Sequence, residues 1–350
     1  MSRVVKIGNL KVGGNNPVRI KGMIKTPSAH IKKVIAEARK LEKEGAEAIR
    51  VAVREDKDTK LAAVLKKHID VPIVADVHFH YKLALGAIKE GFDGIRLNPL
   101  NISDESQVRK IARLARSFNI PIRVGINSGG FKKEFTHSKA LASDMVKRVQ
   151  RYLKIFQTEG FFDIMVSLKG ADVLSTVIAN ESFSKKFDYP LHLGVTASGP
   201  FLEGVVKSSI GIGNLLSGGV GSVLRVSLAA PSFLEVRVAK YILQALNLRR
   251  FEPEVICCPT CSRCQVNLIN IVDRFKKELE GRDFDKSLRI AIMGCVVNGP
   301  GEAYQADIGV AFGEKKAAIF KKDKILGWTD EKRVIADLIK EVEKQEAPTG

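Results

Sequence analysis

The sequence predicts a (β/α)8 TIM barrel followed by a small α/β domain that carries a group of cysteines. Two observations predict this architecture. Short β-rich runs alternate with helical patterns eight times between residues 18 and 246, and the cysteines gather in two short stretches beyond residue 256. A doubly wound sheet is the rival, but it commonly has fewer strands and usually begins with a glycine-rich turn, which this sequence lacks.

The predicted barrel strands are runs of six or seven residues rich in Val, Ile and Leu. Amphipathic or small-residue helical patterns follow them, such as SQVRKIARLARSF and FLEVRVAKYILQAL. In chain order the strands are VRIKGM (18–23), AIRVAV (48–53), PIVADV (72–77), GIRLNP (94–99), PIRVGIN (121–127), DIMVSLK (163–169), PLHLGVT (190–196) and SVLRVSL (222–228). We therefore assign residues 1–246 to the barrel.

A second domain is predicted for residues 257–350, after a linker at 247–256 with the sequence NLRRFEPEVI. Its predicted elements alternate in the same way and are fewer. They are a helix at 266–281, a strand at 288–293, β runs at 306–312 and 316–322, and a final helix at 329–344. The cysteines lie in the turns of this domain.

One face of the barrel strands is polar, since alternate residues of a strand share a face. Four strands repeat the pattern of an arginine between two aliphatic residues: Arg50, Arg96, Arg123 and Arg225. The other polar residues at matching parity are Asp76, His78, Asn98, Asn127, Ser167, Lys169, His192 and Thr196. A single buried arginine would pair with an internal carboxylate, but several on neighbouring strands with few acids beside them predict a phosphate-rich ligand.

Two later features fit an anion at the open end of the barrel. Lys207 lies in the glycine-rich run VVKSSIGIGNLLSGGVGS, in the region where barrels often bind phosphate with backbone amides. Glu235 opens the last barrel helix, so its position makes it a candidate acid. An ordinary carboxylate at a helix N-terminus is an equally good explanation of Glu235.

The cysteine spacing predicts a metal site. Cys258 and Cys261 form a C-x2-C pair, and Cys295 heads the run GCVVNGPGEA. Glu302 in that run adds a hard carboxylate, which suits an iron with an exchangeable ligand better than a structural zinc. Cys264 leaves an all-cysteine site open as the alternative, and Cys257 is interpreted as a buried thiol.

The composition limits the class of protein. The net charge is +18, yet only 7% of residues are aromatic and no nucleic-acid-binding motif is present, so an acidic small substrate or an acidic electron carrier explains the charge better than nucleic acid. No apolar run approaches the ~18 residues of a membrane span, and the N-terminal residues do not resemble a signal peptide. We expect a cytoplasmic protein without a membrane partner.

At CPTCSR and GCVVNGPGEA the sequence closely resembles the family of 4-hydroxy-3-methylbut-2-en-1-yl diphosphate synthases, the reductive enzymes of the non-mevalonate isoprenoid pathway. The resemblance continues through VADVHFH, RLNPLNI, IPIRVGIN, PLHLGVTASG, VVKSSIGIG and LRVSLAA. It implies a barrel that binds 2-C-methyl-D-erythritol 2,4-cyclodiphosphate and a domain whose 4Fe-4S cluster reduces it. It also implies ferredoxin or flavodoxin as electron donor and a head-to-tail homodimer.

The resemblance also implies roles for individual residues. Cys258, Cys261 and Cys295 become the thiolate ligands of the cluster, and Glu302 becomes the displaceable fourth ligand. Glu235 becomes a proton donor. The expected substrate-binding residues are Arg50, Asp76, His78, Arg96, Asn98, Arg123, Asn127 and Lys207.

The sequence departs from the family pattern at a few positions, and other functions remain as alternatives. IKGMIKT stands where many relatives have VQSMTNT, which places Lys21 in the first barrel strand, and Arg54 and Ala197 are also unusual. The alternatives are an iron-sulfur reductase that acts on a different diphosphate, and a basic RNA-binding protein with a structural zinc site. Brown colour after purification would separate the iron enzyme from the zinc protein.

Overall fold

Eight parallel strands form a ring in the first part of the chain, and a separate five-stranded sheet follows. The computed structural model describes residues 1–131, 134–282, 284–295, 303, 306–322 and 324–346. The chain divides into two units, Met1–Arg249 and Arg250–Gly350. The predicted fold class, a TIM barrel followed by a small α/β domain, is confirmed.

The barrel strands follow a short N-terminal hairpin made of β1 (Val5–Ile7) and β2 (Leu10–Val12). They are β3 (Arg19–Met23), β4 (Ala48–Val53), β5 (Ile73–Val77), β6 (Gly94–Leu97), β7 (Ile122–Asn127), β8 (Ile164–Lys169), β9 (His192–Leu193) and β10 (Val223–Leu224). Hydrogen-bonded neighbours run from β8 through β7, β6, β5, β4, β3 and β10 to β9. A bridge between Val166 and Leu191 then joins the two ends of the ring.

Helices follow the strands and cover the outside of the ring. They are α1 (Ile31–Glu44), α2 (Leu61–Leu65), α3 (Tyr81–Lys89), α4 (Glu105–Ser117), α5 (Ser138–Thr158), α6 (Val173–Ser184), α7 (Phe201–Ser217) and α8 (Ser232–Ala245). Their boundaries have local causes. The carboxylate of Asp104 accepts a hydrogen bond from the backbone N–H of Gln107 at 3.0 Å and so caps α4, and Gly45 ends α1 at a φ of 105°.

The N-terminal hairpin packs against the first residues of the barrel strands. Val5, Ile7 and Val12 of the hairpin share one buried apolar cluster with Val74, Met165 and Val223. The sequence did not predict the hairpin, because strands of three residues are too short to show a period. The interior of the strand ring is called the lumen. Since the apolar cluster occupies the amino ends of the strands, the polar part of the lumen lies towards their carboxyl ends, where barrels place their binding sites.

The second unit is a mixed sheet with helices. Its strands, in sheet order, are β11 (Glu254–Cys257), β12 (Arg289–Met293), β13 (Ile308–Phe312), β14 (Ala317–Lys321) and β15 (Lys324–Thr329). β11, β12 and β13 pair in parallel, and β14 pairs in antiparallel fashion with both β13 and β15. The helices of this unit among the described residues are α9 (Leu268–Leu279) and α10 (Val334–Glu346). Among the described helices, none combines the length and apolarity that a membrane crossing needs.

The residues predicted as a linker belong at one end to the first unit and at the other end to the second. Arg249 donates to the carbonyl of Val18 at 2.9 Å and to Glu47 at 2.6 Å, so it belongs to the barrel. Glu254–Cys257 forms β11 and pairs in parallel with β12. Both ends of the 247–256 segment are therefore folded, and β11 escaped prediction because it is four residues long and directly follows Pro253.

Candidate functional site

The barrel strands direct charged side chains into the lumen. β5, β6 and β7 are neighbours, and their register places Asp76 beside Arg96 and Arg96 beside Arg123. All three residues are buried. Charged residues are almost never fully buried unless they are paired, so the contacts of each one show what the lumen still lacks.

Asp76 is the carboxylate that joins the arginines of two strands. Its oxygens lie 3.6 Å from Nε of Arg50, 3.3 Å from Nη1 of Arg96 and 3.4 Å from Nε2 of His78. Burial alone would raise the pKa of Asp76, but Arg50 first, then His78 and Arg96, hold that pKa well below its ordinary value. Burial, opposed by Asp76, lowers the pKa of Arg50 to about 10. Asp76 therefore carries its charge at neutral pH and neutralises part of the arginine charge.

Arg96 is held in a fixed orientation by groups on two strands. Its Nη1 lies 3.1 Å from Nε2 of His78, and its Nη2 donates to the carbonyl of Gly125 at 3.0 Å. A Cβ at Gly125 would lie 2.6 Å from Oγ of Ser167 and 3.1 Å from Nε of Arg96. Glycine at this position therefore lets the guanidinium approach the backbone of β7.

Three of the expected substrate-binding residues lie at the rim of the barrel, where β5, β6 and β7 end: His78, Asn98 and Asn127. Asn98 accepts from the N–H of Leu100 at 3.1 Å and donates to Oδ1 of Asn101 at 3.2 Å. Nδ2 of Asn101 in turn lies 3.4 Å from Nδ1 of His78. Asn127 is the last residue of β7 and is half-buried. The structure thus links His78 and Asn98 through Asn101, a residue that was not selected from the sequence.

Glu235 lies buried in the first turn of α8 and contacts two cations. Its oxygens lie 3.0 Å from Nη2 of Arg225 and 2.8 Å from Nζ of Lys25, and the backbone N–H of Leu228 donates to it at 2.9 Å. The carboxylate expected to donate a proton is thus surrounded by two basic side chains and one backbone N–H donor.

Arg123 is the buried arginine that lacks a carboxylate. Its Nη1 lies 3.5 Å from Oγ of Ser167 and 3.2 Å from Nδ1 of His192, and in the described part of the chain it forms no ion pair. Burial and then the charges of Arg50 and Arg96 lower its pKa well below the ordinary value. Because Arg123 donates to Nδ1, the proton of the neutral His192 ring resides on Nε2.

The buried lumen atoms without partners are all hydrogen-bond donors. Within the described barrel residues they are Nζ of Lys21, Nε of Arg96, Nε and Nη2 of Arg123, Nε2 of His192 and Nε of Arg225. An unpartnered buried donor costs about 1 to 3 kcal/mol. A set of such donors without an acceptor indicates a missing ligand that carries acceptors and negative charge, as a phosphoryl group does.

Lys207 does not join this cluster. It lies exposed in the middle of α7, and no hydrogen bond or ion pair links it to the lumen cations among the described residues. The glycine-rich run around it is helical, so its backbone N–H groups serve the helix. A role of Lys207 in binding the substrate therefore stays a prediction. One glycine of the run serves packing, since Gly211 lies so close to the barrel that a Cβ would be 2.9 Å from Cγ2 of Val195.

The structure adds lysines that were not selected as site residues from the sequence. Lys21 of β3 is buried in the lumen, and Lys25 forms the ion pair with Glu235. Both stand in IKGMIKT, the run that departs from the family pattern. The strand pattern could have indicated Lys21, because Lys21 and Met23 lie on the same face of β3. The sulfur of Met23 lies 2.9 Å from Nε of Arg50 in the lumen.

The cysteines lie at the carboxyl edge of the second sheet. β11 and β12 are parallel neighbours, so the segments after them, which carry Cys258 and Cys295, leave the sheet at one edge. The N–H of Gly294 donates to Sγ of Cys258 at 3.3 Å and so connects both segments. Thiolate sulfurs that accept backbone N–H bonds are typical of iron-sulfur proteins, and the residues therefore fit such a cluster.

The ligand set itself stays a prediction. Within the described residues, no three His, Cys, Asp or Glu side chains are close enough to hold a metal ion. Cys264 packs against Gly294, and its Sγ lies 3.3 Å from the carbonyl of Val266. Cys257 is exposed, and partial burial and then Cys258 raise its pKa. Glu302 lies outside the described residues.

Family comparisons cover nearly the whole chain. The family model of the GcpE TIM-barrel domain matches residues 2–240, and that of the GcpE protein C-terminal domain matches residues 254–344. A 4-hydroxy-3-methylbut-2-en-1-yl diphosphate synthase (flavodoxin) from Thermodesulfovibrio yellowstonii is 44% identical over 98% of both chains. The enzyme of the same name from Caldanaerobacter subterraneus subsp. tengcongensis is 42% identical over 98% of this chain and 97% of its own.

Solved structures with similar folds support the barrel. Dihydropteroate synthase from Yersinia pestis superposes with a TM-score of 0.53 over 71% of this chain and 100% of its own, at 12% identity. The type I 3-dehydroquinate dehydratase from Clostridium difficile gives a TM-score of 0.52 over 71% of this chain and 98% of its own, at 20% identity. At these identities the likeness concerns the fold alone.

Proposed function

Because this chain belongs to the GcpE family, we propose that its lumen binds 2-C-methyl-D-erythritol 2,4-cyclodiphosphate and that its second unit supplies the electrons for reduction. The chain is an oxidoreductase that makes 4-hydroxy-3-methylbut-2-en-1-yl diphosphate in isoprenoid biosynthesis. The reaction takes up two protons, and two electrons from reduced flavodoxin. It breaks one ring C–O bond and one C–OH bond, forms one C=C bond and releases the hydroxyl group as water, so atoms and charge balance.

The set of unpartnered donors in the lumen is the observation that carries this proposal. A diphosphate offers acceptor oxygens and negative charge in one small group, and both are what the lumen lacks. Arg123 supplies two of the free donor atoms, so we assign it the central contact. Arg50 and Arg96 already share Asp76, and we propose that they give the anion additional, weaker contacts.

Positioning is the contribution of the barrel to the reaction. The cations hold the charged end of the substrate, and burial strengthens these contacts relative to water. Asp76 keeps Arg50 and Arg96 in place, while His78 and Asn98 line the rim. We propose that Glu235 passes a proton to the departing hydroxyl oxygen after receiving one from solvent.

The cysteine edge of the second unit is the proposed cofactor site. Cys258, Cys261 and Cys295 would hold a 4Fe-4S cluster, with Glu302 as a fourth ligand that can leave. When bound, the cluster supplies the electrons and an exchangeable iron. The hydrogen bond from Gly294 to Cys258 supports this assignment because it ties the two cysteine segments together.

The partners and location follow from the family. We propose flavodoxin as the electron donor, as in the names of the relatives, with ferredoxin as a substitute. We also propose a head-to-tail homodimer and a cytoplasmic enzyme. Sedimentation of the loaded protein tests the dimer directly.

The function is tested by anaerobic purification followed by turnover. Iron, sulfide and visible absorbance are measured first, and the cyclic diphosphate is then supplied with reduced flavodoxin while phosphorus resonances report the product. We expect a brown protein that forms the linear diphosphate. A colourless, redox-silent protein with tight, salt-sensitive RNA binding would overturn the proposal.

Arg123→Ala tests the assigned contact. A charge-assisted hydrogen bond is worth about 1.5 to 3 kcal/mol, so binding of the cyclic diphosphate should weaken at least about tenfold. Iron content should stay unchanged. Arg148→Ala is the matched control, since Arg148 lies half-exposed on α5 in a pair with Asp144 and should bind as wild type does. Equal affinities of both variants would contradict the role of Arg123.

A further inference from the structure

Lys21 is a buried lysine without a partner. It projects from β3 into the lumen, is 2% exposed, and its Nζ has no hydrogen-bond partner among the described residues. If this side chain only filled space, an apolar side chain would do so at lower energetic cost, because a buried amine without a partner is destabilising. The position therefore needs a partner that arrives from outside.

The lumen carboxylates are already engaged by other cations. Asp76 contacts Arg50 and Arg96, and Glu235 contacts Arg225 and Lys25. The lumen cations without a carboxylate, within residues 1–131 and 134–249, are Lys21, Arg123 and Lys169. The basic side chains that still lack an acidic partner are thus these three, rather than the four-arginine series predicted from the strands.

Lys169 is a second buried lysine of the lumen. It ends β8, is 6% exposed, and its Nζ lies against Gly194, where φ is 155° and a Cβ would collide with the ammonium group. Burial first, and then the charge of Arg123, lower the pKa of both lysines well below the ordinary value. Without a ligand, the cationic lumen therefore favours the neutral amines.

We propose that Lys21 is a further substrate-binding residue, which together with Arg123 and Lys169 receives a phosphoryl group and takes up a proton as that anion binds. The proposal rests on the proposed diphosphate substrate and adds a contact that the family resemblance does not assign. An arriving anion offers Lys21 both an acceptor and a countercharge. Binding and protonation therefore reinforce each other.

The sign of the pH dependence follows from this coupling. The charged or titratable groups that face Lys21 across the lumen are Arg50 of β4, Asp76 of β5, Arg96 of β6, Arg123 of β7, Lys169 of β8, His192 of β9 and Arg225 of β10. Most are cations, and they disfavour the ammonium form until the anion is present. Because the complex holds more protons than its separated parts, affinity should rise as pH falls. The cyclic diphosphate is esterified at both phosphoryl groups, so it does not itself titrate near neutral pH.

Proton uptake is measured by titration calorimetry of the full, cluster-loaded chain with the cyclic diphosphate, without reductant, in buffers of different ionisation enthalpy. We expect Lys21→Met to lower the uptake by up to about one proton per site and to weaken binding about tenfold at pH 7. Lys21→Gln should show the same loss of uptake with a smaller loss of affinity, because it keeps donors but cannot titrate. Lys6→Met, which changes an exposed strand lysine, should match wild type.

The outcomes separate this inference from the proposed function. Wild-type proton uptake in both folded Lys21 variants would overturn the inference. Inorganic pyrophosphate provides the second arm, measured at a pH above its last pKa so that it binds as the full anion in every variant. If pyrophosphate binds with uptake that depends on Lys21 while the cyclic diphosphate does not bind, the anion subsite stands and the proposed substrate fails.

Discussion

A single charged residue in a strand predicts which face of that strand lines the lumen, as is seen for Arg123, Arg96 and Asp76. Each interrupts an aliphatic run at the parity of the lumen, and the structure places each inside the barrel. The partner of each arginine was not predictable, because it depends on which strands are neighbours and on the direction of each side chain. Asp76 thus serves Arg50 and Arg96, while Arg123 has no carboxylate among the described residues.

Removal of Asp76 should destabilise the barrel. Asp76→Asn leaves Arg50 and Arg96 buried without a countercharge, a change that typically costs about 3 to 5 kcal/mol. The folded pKa of Asp76 is lowered, so its contribution is present above the unfolded pKa of about 3.9 and is lost as pH falls through the folded value. Urea unfolding at pH 7 and at pH 3 measures the difference, which should be smaller at the lower pH.

Asp188→Asn is the control for this measurement. Asp188 pairs with Arg3 at the surface, where both side chains are partly exposed, so its loss should cost less than about 1 kcal/mol. Saturating pyrophosphate should also restore part of the stability of Asp76→Asn, since it supplies the missing negative charge. Equal stabilities of the two variants would show that Asp76 does not hold the arginines.

The cysteines allow a second test at single residues. We expect Cys264→Ser to keep nearly all of the iron, since Cys264 falls outside the three-cysteine set, and Cys295→Ser to lose it. Iron and sulfide are determined after anaerobic reconstitution of both variants. Loss of iron in Cys264→Ser, with retention in Cys295→Ser, would favour a set that includes Cys264 and would contradict the family assignment.

Secondary-structure elements were predictable where they are long and alternate. All eight barrel strands lie within the runs predicted from the sequence, and the helices follow the amphipathic or small-residue patterns between them. The hairpin β1–β2 and strand β11 are too short for periodicity, and β15 (KILGWT) was not selected because its residues do not alternate and it is largely exposed. The glycine-rich run suggested backbone amides that bind phosphate, whereas residues Phe201–Ser217 are helical and Gly211 packs closely on the barrel.

Two glycines of α7 provide a matched test of that packing. Gly211→Ala places a Cβ 2.9 Å from Cγ2 of the buried Val195, while a Cβ added at Gly213 would meet no atom of the described residues within 4 Å. Gly213→Ala should stabilise by up to about 1 kcal/mol through helix propensity. Gly211→Ala should be less stable than Gly213→Ala by about 1 to 3 kcal/mol, measured by urea unfolding. Equal stabilities would favour a loosely packed α7.

The whole chain carries a charge of +18, and its lumen accounts for only a small part of this charge. The sequence predicted two units and a basic protein, because both properties are sums over many residues and tolerate errors in single elements. The sequence did not predict where the excess charge lies in the fold, because that depends on which residues form ion pairs. At the surface Arg113 pairs with Glu159, while Arg123 and Lys21 have no ion-pair partner among the described lumen residues.

The net charge predicts how electrons reach the enzyme. An acidic flavodoxin is attracted to a chain of charge +18, so the second-order rate of cluster reduction should fall as salt rises from about 0.02 to 0.5 M. Reduced methyl viologen, a cation, should show the opposite trend. Stopped-flow absorbance of the cluster, without substrate, measures both rates on one preparation and separates electron delivery from diphosphate binding. If the flavodoxin rate did not change with salt while the viologen rate rose, electron delivery would depend on a local contact surface rather than on the field of the whole molecule.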